Sequence, residues 1–211
     1  MQTKMSEKIN LKTEDKVNIV ANFYNSDSEK AVILLHMLGR TKEDWNNFAN
    51  SLLKENYSVL ALDFRGHGES SGHLTEFSEK DFNNMILDVK EAKKFLVNNG
   101  KTKISIIGAS IGANTALNYA SKDKDIRTII LLSPGLNYRG INTEKTIKDY
   151  KNKILIIASE DDPYSLDSSK RLNELNKNSE LKIYKQGGHG TRMFSSTDLE
   201  KVLISWLKIT V

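Results

Sequence analysis

Apolar positions along the chain follow two patterns, short continuous runs and longer stretches with helical spacing. Continuous runs at 31–35, 57–62 and 127–132 are typical of strands that are covered on both faces. Between them, apolar residues recur every three or four positions, as in 45–53 and 79–98, which predicts amphipathic helices. Strands that alternate with helices of this length predict βαβ units and a mostly parallel sheet.

The rest of the chain continues this alternation. Residues 8–24 contain two weak extended segments around a turn-like 13–16, which predicts an opening hairpin. The later elements are predicted in chain order as a strand at 104–107, a helix from 111, a loop with a short helix in 136–152, a strand at 153–158, a helix at 167–176, a strand at 181–185 and a helix at 199–207. No repeat or linker divides these elements, so we expect one domain over residues 1–211.

Composition narrows the class of protein. A chain of 211 residues can bury a core without help from a metal or a disulfide. It contains no cysteine, which excludes a thiolate metal site and a cysteine nucleophile and is typical of a reducing compartment. Residues 1–10 lack the apolar region of a secretion signal, and no stretch has the roughly 18 apolar residues of a membrane helix. We expect a cytoplasmic protein without a membrane span.

The charge pattern argues against nucleic acid as a partner. The net charge of +4 comes from basic and acidic residues that are interleaved, as in 90–94, rather than gathered in a block. Such interleaving is typical of solvated helix faces.

Gly108–Gly112 forms a G-x-S-x-G motif where the predicted strand at 104–107 turns into a helix. The two glycines allow a turn so sharp that it presents the Ser110 hydroxyl at the carboxyl edge of the sheet. The Ile111 N–H lies at the positive end of the helix, and the turn directs it toward the oxygen of any carbonyl that Ser110 attacks. The alternative is a glycine-rich phosphate loop, which is disfavoured because Ser110 replaces the second glycine of a dinucleotide motif.

A serine nucleophile needs a base, and the base needs a carboxylate. His189 lies between glycines directly after the last predicted strand, although it could equally be a surface histidine. Asp161 and Asp162 follow the strand at 153–158 and could equally form a solvated acidic turn. We favour Asp162 over Asp161, because Pro163 restricts its backbone to an extended conformation.

The order Ser110, Asp162, His189, each after a strand, resembles that of the α/β-hydrolases. The chain resembles a small serine hydrolase of that fold, in the dienelactone-hydrolase-like and short esterase branches, from about residue 31 to the end. The resemblance rests also on 36–39 (HMLG) and 63–70 (DFRGHGES), which match loops of that family. It implies a three-layer αβα sandwich with a mostly parallel sheet, and an oxyanion hole formed by the amides of Leu38 and Ile111.

Two residues depart from the family pattern. Met37 stands where glycine is usual, and it either narrows the oxyanion loop or supplies an apolar wall. Ser159 stands where glycine usually opens the acid loop, which leaves the choice between Asp161 and Asp162 open. Chemistry that depends on a cysteine nucleophile is excluded, because the motif holds serine.

The resemblance also bears on the substrate. Only 136–152 fills the gap where many relatives insert a lid, so we expect no cap domain and an open site. Apolar loop residues at the same sheet edge could line a pocket for a short or medium acyl chain: Met37, Leu136, Tyr138, Tyr164, Met193 and Phe194. We therefore predict a carboxylesterase or thioesterase that acts on a small ester, as a monomer or small homo-oligomer.

Other functions remain open at this stage. A catalytically silent member of the fold could bind a ligand or act as a scaffold, and the same triad could serve a peptidase or a C–C hydrolase. No cofactor is expected. A zinc site is disfavoured because no H-x-x-x-H pattern is present, and His36 and His67 are interpreted as residues that fix loops by hydrogen bonds to the backbone.

Overall fold

An eight-stranded sheet forms the middle layer of the computed structural model, which describes residues 6–211. The first half of the N-terminal stretch considered above for a secretion signal lies outside the described residues. The strand order is β1-β2-β4-β3-β5-β6-β9-β10, in which all neighbours from β4 to β10 pair in parallel. The strands of this sheet are β1 (Glu7–Lys12), β2 (Asn18–Tyr24), β3 (Lys30–Leu35), β4 (Ser58–Leu62), β5 (Lys103–Ala109), β6 (Thr128–Leu132), β9 (Lys153–Ser159) and β10 (Ser179–Tyr184).

The central strands lie where continuous apolar runs predict them. Both faces of β3, β4, β5, β6 and β9 are covered by helices, so nearly every residue in them is buried. The opening segments pair as the antiparallel hairpin β1–β2, which extends one edge of the sheet. The α/β class with a mostly parallel sheet is therefore confirmed.

In the part of the chain that the structure describes, six α-helices cover the two faces of the sheet. One face carries α1 and α6, which pack on a cluster that includes Trp45, Phe48, Leu203 and Trp206. The other face carries the remaining four, whose buried side chains form a larger cluster with the hairpin β1–β2. The helices are α1 (Asn46–Lys54), α2 (Glu79–Asn83), α3 (Met85–Asn98), α4 (Ile111–Ala120), α5 (Pro163–Leu175) and α6 (Leu199–Thr210). Helix, sheet and helix form the three layers that the family resemblance implies.

Three elements differ from the sequence prediction. The helix expected over 79–98 is divided at Asn84, whose ψ of −8° departs from the helical value of about −42°. Helix α5 begins at Pro163 rather than at 167, because proline is favoured at the first helical position. Residues 136–152 hold the predicted short helix as a 3-10 helix at Thr146–Lys148, but the predicted loop before it forms a small hairpin, β7 (Asn137–Tyr138) with β8 (Ile141–Asn142).

Between residues 6 and 211, no helix has both the length and the apolar character needed to cross a bilayer.

Candidate active site

The turn between β5 and α4 holds Ser110 in a strained backbone conformation. Its φ of 56° and ψ of −121° lie outside the regions that non-glycine residues favour. A Cβ on Gly108 would lie 2.2 Å from the Gly112 carbonyl oxygen, and one on Gly112 would lie 2.6 Å from the Leu35 carbonyl oxygen. Glycine is thus required on both sides of Ser110, as the motif predicts.

Two backbone amides beside Ser110 are free to bind an oxygen. Strands β3 and β5 pair in parallel with Leu35 opposite Gly108, so the loop that follows β3 lies next to Ser110. Within residues 6–211, neither the Leu38 nor the Ile111 N–H has a hydrogen-bond acceptor. The Ile111 amide also lies at the N-terminus of α4, where the helix dipole favours negative charge.

The loop after β4 fixes the loop after β3. The buried Asp63 carboxylate accepts hydrogen bonds from the Lys42 backbone N–H (2.8 Å), the Lys42 ammonium (2.7 Å) and the Glu69 N–H (3.0 Å). Burial opposes the charged form of Lys42, but hydrogen bonds to Asp63, Glu69 and Glu43 outweigh it and raise the pKa of the ammonium. A Cβ on Gly68 would lie 2.2 Å from Asp63 Oδ2, so glycine is needed there to admit the carboxylate.

His36 ties the two loops together as a neutral side chain. Its Nδ1–H donates to the Met37 carbonyl oxygen (2.7 Å), and its Nε2 accepts from the Phe64 N–H (3.0 Å). Complete burial lowers the pKa of His36 to about 4. His67 is held in the same way by the Arg65 carbonyl oxygen at 3.0 Å. Among the residues that the structure describes, no three His, Cys, Asp or Glu side chains lie together in a way that could hold a metal ion.

His189 and Asp162 are in direct contact. Nδ1 of His189 lies 2.6 Å from Oδ2 of Asp162, a short distance typical of a charge-assisted hydrogen bond. The side chains are partly buried, with 31% of His189 and 16% of Asp162 exposed. A proton on Nδ1 directed at Asp162 would leave Nε2 able to accept one. In the described part of the chain, Nε2 has no hydrogen-bond partner, Ser110 included.

Among the described residues, Asp161 makes no hydrogen bond with the His189 side chain and instead fixes the backbone of the loop that carries it. Its carboxylate accepts hydrogen bonds from the N–H groups of Gly187 (3.2 Å) and Gly188 (3.0 Å), and from the Ser159 hydroxyl. These hydrogen bonds, led by that of Ser159, lower the pKa of Asp161. The two neighbouring acids therefore make different contacts, one with the imidazole and one with the backbone that carries it.

A second anchor holds the histidine loop over the nucleophile strand. The Gly190 N–H donates to the Ser133 hydroxyl at the end of β6, at 2.9 Å. A Cβ on Gly190 would lie 3.3 Å from Ala109 Cβ and 2.5 Å from Met37 Sδ. The residue that follows His189 thus packs against the residue that precedes Ser110.

Ser165 is a neighbour of the histidine that the sequence did not suggest. Its buried hydroxyl lies 3.4 Å from Nδ1 of His189 and 3.0 Å from the Tyr138 hydroxyl. A serine in the first turn of a helix has many ordinary roles, so no pattern marked it. The three-residue spacing from Asp162 was the only available signal, because it places both side chains at the same end of α5.

Tyr138 bonds Ser165 and lies close to Ser110. Burial raises the pKa of Tyr138 to about 12, whereas hydrogen bonds with Ser165 and Ser110 act in the opposite direction. The ring also meets the His189 ring edge to face, with centroids 6.3 Å apart. The hairpin β7–β8 that carries Tyr138 is fixed to α4 by Asn114, whose side chain bonds the backbone of Gly135 (3.1 Å) and Ile141 (2.9 Å).

The residues expected to line one pocket lie in three places. Tyr138 and Tyr164 form an edge-to-face pair (5.5 Å) beside His189, next to the half-buried Leu136. Met37 and Phe194 line a separate cavity on the other side of the histidine loop. Met193 is fully buried in the core under α1 and α6.

Comparison with known sequences matches a part of the chain that ends before Asp162 and His189 to one family. The family described as serine aminopeptidase, S33 (Hydrolase_4) matches residues 26–144, which include Ser110 and both oxyanion candidates. A soluble epoxide hydrolase of Corynebacterium sp. (strain C12) is 30% identical over 118 residues, 54% of this chain and 39% of that protein. The protein bem46 of Schizosaccharomyces pombe is 27% identical over 154 residues, 68% of this chain and 46% of that protein. The matched region spans less than half the length of these relatives.

Comparison with solved structures covers the whole fold. An esterase of Pyrococcus furiosus has a TM-score of 0.83 with 24% identity, over 97% of this chain and 91% of that one. An esterase of Exiguobacterium antarcticum has a TM-score of 0.82 with 16% identity, over 96% of this chain and all (100%) of that one. At such identities the likeness shows the α/β-hydrolase fold and nothing finer.

Proposed function

Because the chain belongs to the serine aminopeptidase S33 (Hydrolase_4) family, whose fold is that of the α/β-hydrolases, we propose that it is a serine hydrolase. In this proposal Ser110 is the nucleophile, His189 the base and Asp162 the acid of the triad. The observation that carries it is the 2.6 Å contact between Asp162 and His189 on a loop that packs beside the strained Ser110 turn.

The reaction is a two-step acyl transfer. His189 Nε2 takes the Ser110 proton as Oγ attacks the substrate carbonyl, and the imidazolium is stabilised by Asp162. The Leu38 and Ile111 amides bind the oxyanion of the tetrahedral intermediate. The intermediate collapses to an acyl-enzyme as His189 gives its proton to the departing alcohol. Water, deprotonated by His189, then releases the acid and restores Ser110.

The substrate in this proposal is a small carboxylic ester or thioester. The hairpin β7–β8 is too short for a cap, and Tyr138 and Tyr164 present an aromatic wall beside His189. Nothing in the segment from β6 to β9 resembles the amphipathic lid of an interfacial lipase. We propose a single domain over residues 1–211 without a cap domain.

Labelling with a fluorophosphonate tests the nucleophile. The wild type should be modified, and Ser110→Ala should not. A catalytically silent ligand-binding protein would leave the wild type unlabelled. Ser110→Ala should also lower kcat for p-nitrophenyl acetate by on the order of 10⁶ if the triad acts as a unit, and activity within tenfold of wild type would contradict the assignment.

Substrate class needs a parallel assay, since the family description names an aminopeptidase. We expect p-nitrophenyl and thio-esters of short acids to be hydrolysed faster than aminoacyl p-nitroanilides at equal concentration. Faster cleavage of the anilides would replace the esterase proposal with a peptidase that uses the same three residues.

A further inference from the structure

A cavity of about 360 Å³ lies between the two loops that carry the proposed catalytic groups. One wall comes from the loop after β3 and from α1, and the other comes from residues that directly follow His189. The apolar part of its lining consists of Met37, Phe48 and Phe194. The rings of the two phenylalanines pack against each other with centroids 5.2 Å apart. The volume lies within the range of about 300–1,000 Å³ that small-molecule sites occupy. Nothing described so far uses this space.

The rim of the cavity is polar. Arg40 forms two hydrogen bonds with Asp44, at 2.8 and 2.6 Å, so these two charges offset each other. Arg192 and Glu200 also line the rim, with opposite charges. The lining therefore combines an apolar part with a larger polar part whose charges offset each other. The apolar part can take an alkyl or aryl chain.

Met37 lies between this cavity and the end of β5 that leads to Ser110. The place of a Cβ on Gly190 is 3.3 Å from Ala109 Cβ, so Gly190 lies against the residue that precedes Ser110. The Met37 thioether lies against Gly190, with Sδ 2.5 Å from the place where a Cβ on that glycine would be. It also contacts the Thr191 hydroxyl at 3.9 Å. The side chain thus bridges the two catalytic loops.

The Met37 side chain is only 7% exposed, although it lines the cavity. It is therefore packed on its other sides, against the histidine loop and the end of β5 that leads to Ser110. A glycine at position 37 would leave that place unfilled.

We propose that Met37 determines substrate specificity by closing the cavity to the nucleophile, so that the wild type accepts only short chains. The cavity is then a preformed site for an apolar chain of the substrate. This inference rests on the proposed esterase function. Truncating Met37 joins the cavity to the Ser110 site and admits longer esters.

The experiment compares Met37→Ala with the wild type on two ester series. One series lengthens the acyl chain from p-nitrophenyl acetate through butyrate and hexanoate to octanoate, and the other lengthens the alcohol of alkyl acetates. We expect the ratio of kcat/KM for octanoate to that for acetate to rise about tenfold or more, since each methylene that gains a pocket contributes measurably. A rise in the alcohol series alone would assign the cavity to the leaving group.

Matched variants show whether a change in chain-length preference comes from the opened cavity or from a general loss of core packing. Met85→Ala removes the same atoms from a buried site in α3, and it should leave the chain-length ratio unchanged. In the Met37→Ala background, Asn47→Trp refills the cavity from the exposed side of α1 and should restore the preference for short chains. If Met37→Ala does not fold, Met37→Val should shift the ratio in the same direction by a smaller factor.

An unchanged or lower preference for long chains in both the acyl and the alcohol series, in a Met37→Ala enzyme that still cleaves acetate, would overturn the proposal. Equal losses at every chain length would do the same, because they would assign Met37 to support of the oxyanion loop. A wild type that cleaves no ester in either series would instead refute the proposed function, so the two failures are distinguishable.

Discussion

The two neighbouring acids, Asp161 and Asp162, offer a sharp test of the site, because replacing each by asparagine changes one carboxylate in nearly the same place. Asp162 contacts the imidazole at 2.6 Å, whereas Asp161 accepts hydrogen bonds from backbone N–H groups and from the Ser159 hydroxyl. In Asp162→Asn, an amide replaces the acceptor of the Nδ1 proton. The imidazole then loses both its preferred tautomer and the charge that stabilises the imidazolium.

The size of the effect follows from the proposed role. Loss of the carboxylate of a serine triad lowers kcat about 10⁴-fold, which corresponds to about 5.5 kcal/mol of transition-state stabilisation. Both side chains of the pair are partly buried, so water replaces the lost contact poorly. Asp161→Asn keeps an oxygen that can accept from Gly187 and Gly188, so misplacement of the loop should cost on the order of tenfold to a hundredfold at most.

The assay is the initial rate of p-nitrophenyl acetate hydrolysis across pH 6 to about 9, with circular dichroism to verify folding. Thermal unfolding of both variants shows whether any loss comes from the fold rather than from the site. Equal losses in the two variants, or an Asp162→Asn enzyme within tenfold of wild type, would refute the division of roles between the acids.

Three further predictions concern the scaffold and are measured by urea denaturation. Gly112→Ala should destabilise the protein by about 1–3 kcal/mol, because the clash with the Leu35 carbonyl outweighs the gain of about 1 kcal/mol in helix propensity; a more stable variant would contradict this. Lys42→Met should cost about 3–5 kcal/mol, since the buried Asp63 loses its ammonium partner, and a neutral result would show that Asp63 does not need it. Burial lowers the pKa of His36 from 6.5 to about 4, so the unfolded chain takes up a proton first as pH falls, and about 3 kcal/mol of stability present above pH 6.5 should be lost by pH 4. His36→Asn should flatten that pH dependence, and an unchanged slope would assign it to other groups.

The course of the central strands and helices could be predicted from the sequence because burial on both faces leaves a local signal. The apolar run at 31–35 predicts only a buried strand, and the spacing at 199–207 predicts only an amphipathic helix. The structure has both elements, β3 and α6. The hairpin β7–β8 was missed because two-residue strands carry no periodicity. It is held by Asn114, a contact from α4 that is remote in sequence.

In the candidate site too, local features could be predicted from the sequence and contacts between distant segments could not. The glycines around Ser110 predict a sharp turn from local sterics alone, and the turn is there. The sequence left Asp161 and Asp162 as alternatives, because successive side chains at a strand end can point either way. Their contacts depend on where the loop after β10 passes, and that depends on the pairing of β10 with β9.

The turn at Ser110, the mixed α/β layering and the absence of thiol chemistry follow from residue types and their spacing along the chain. The contact of Asp162 with His189, the place of Ser165 and the wall formed by Met37 do not, because each joins segments from 24 to 154 residues apart. Such contacts are set by strand order and by the directions of crossovers. Local sequence carries little information about either, since many strand orders bury the same apolar faces equally well.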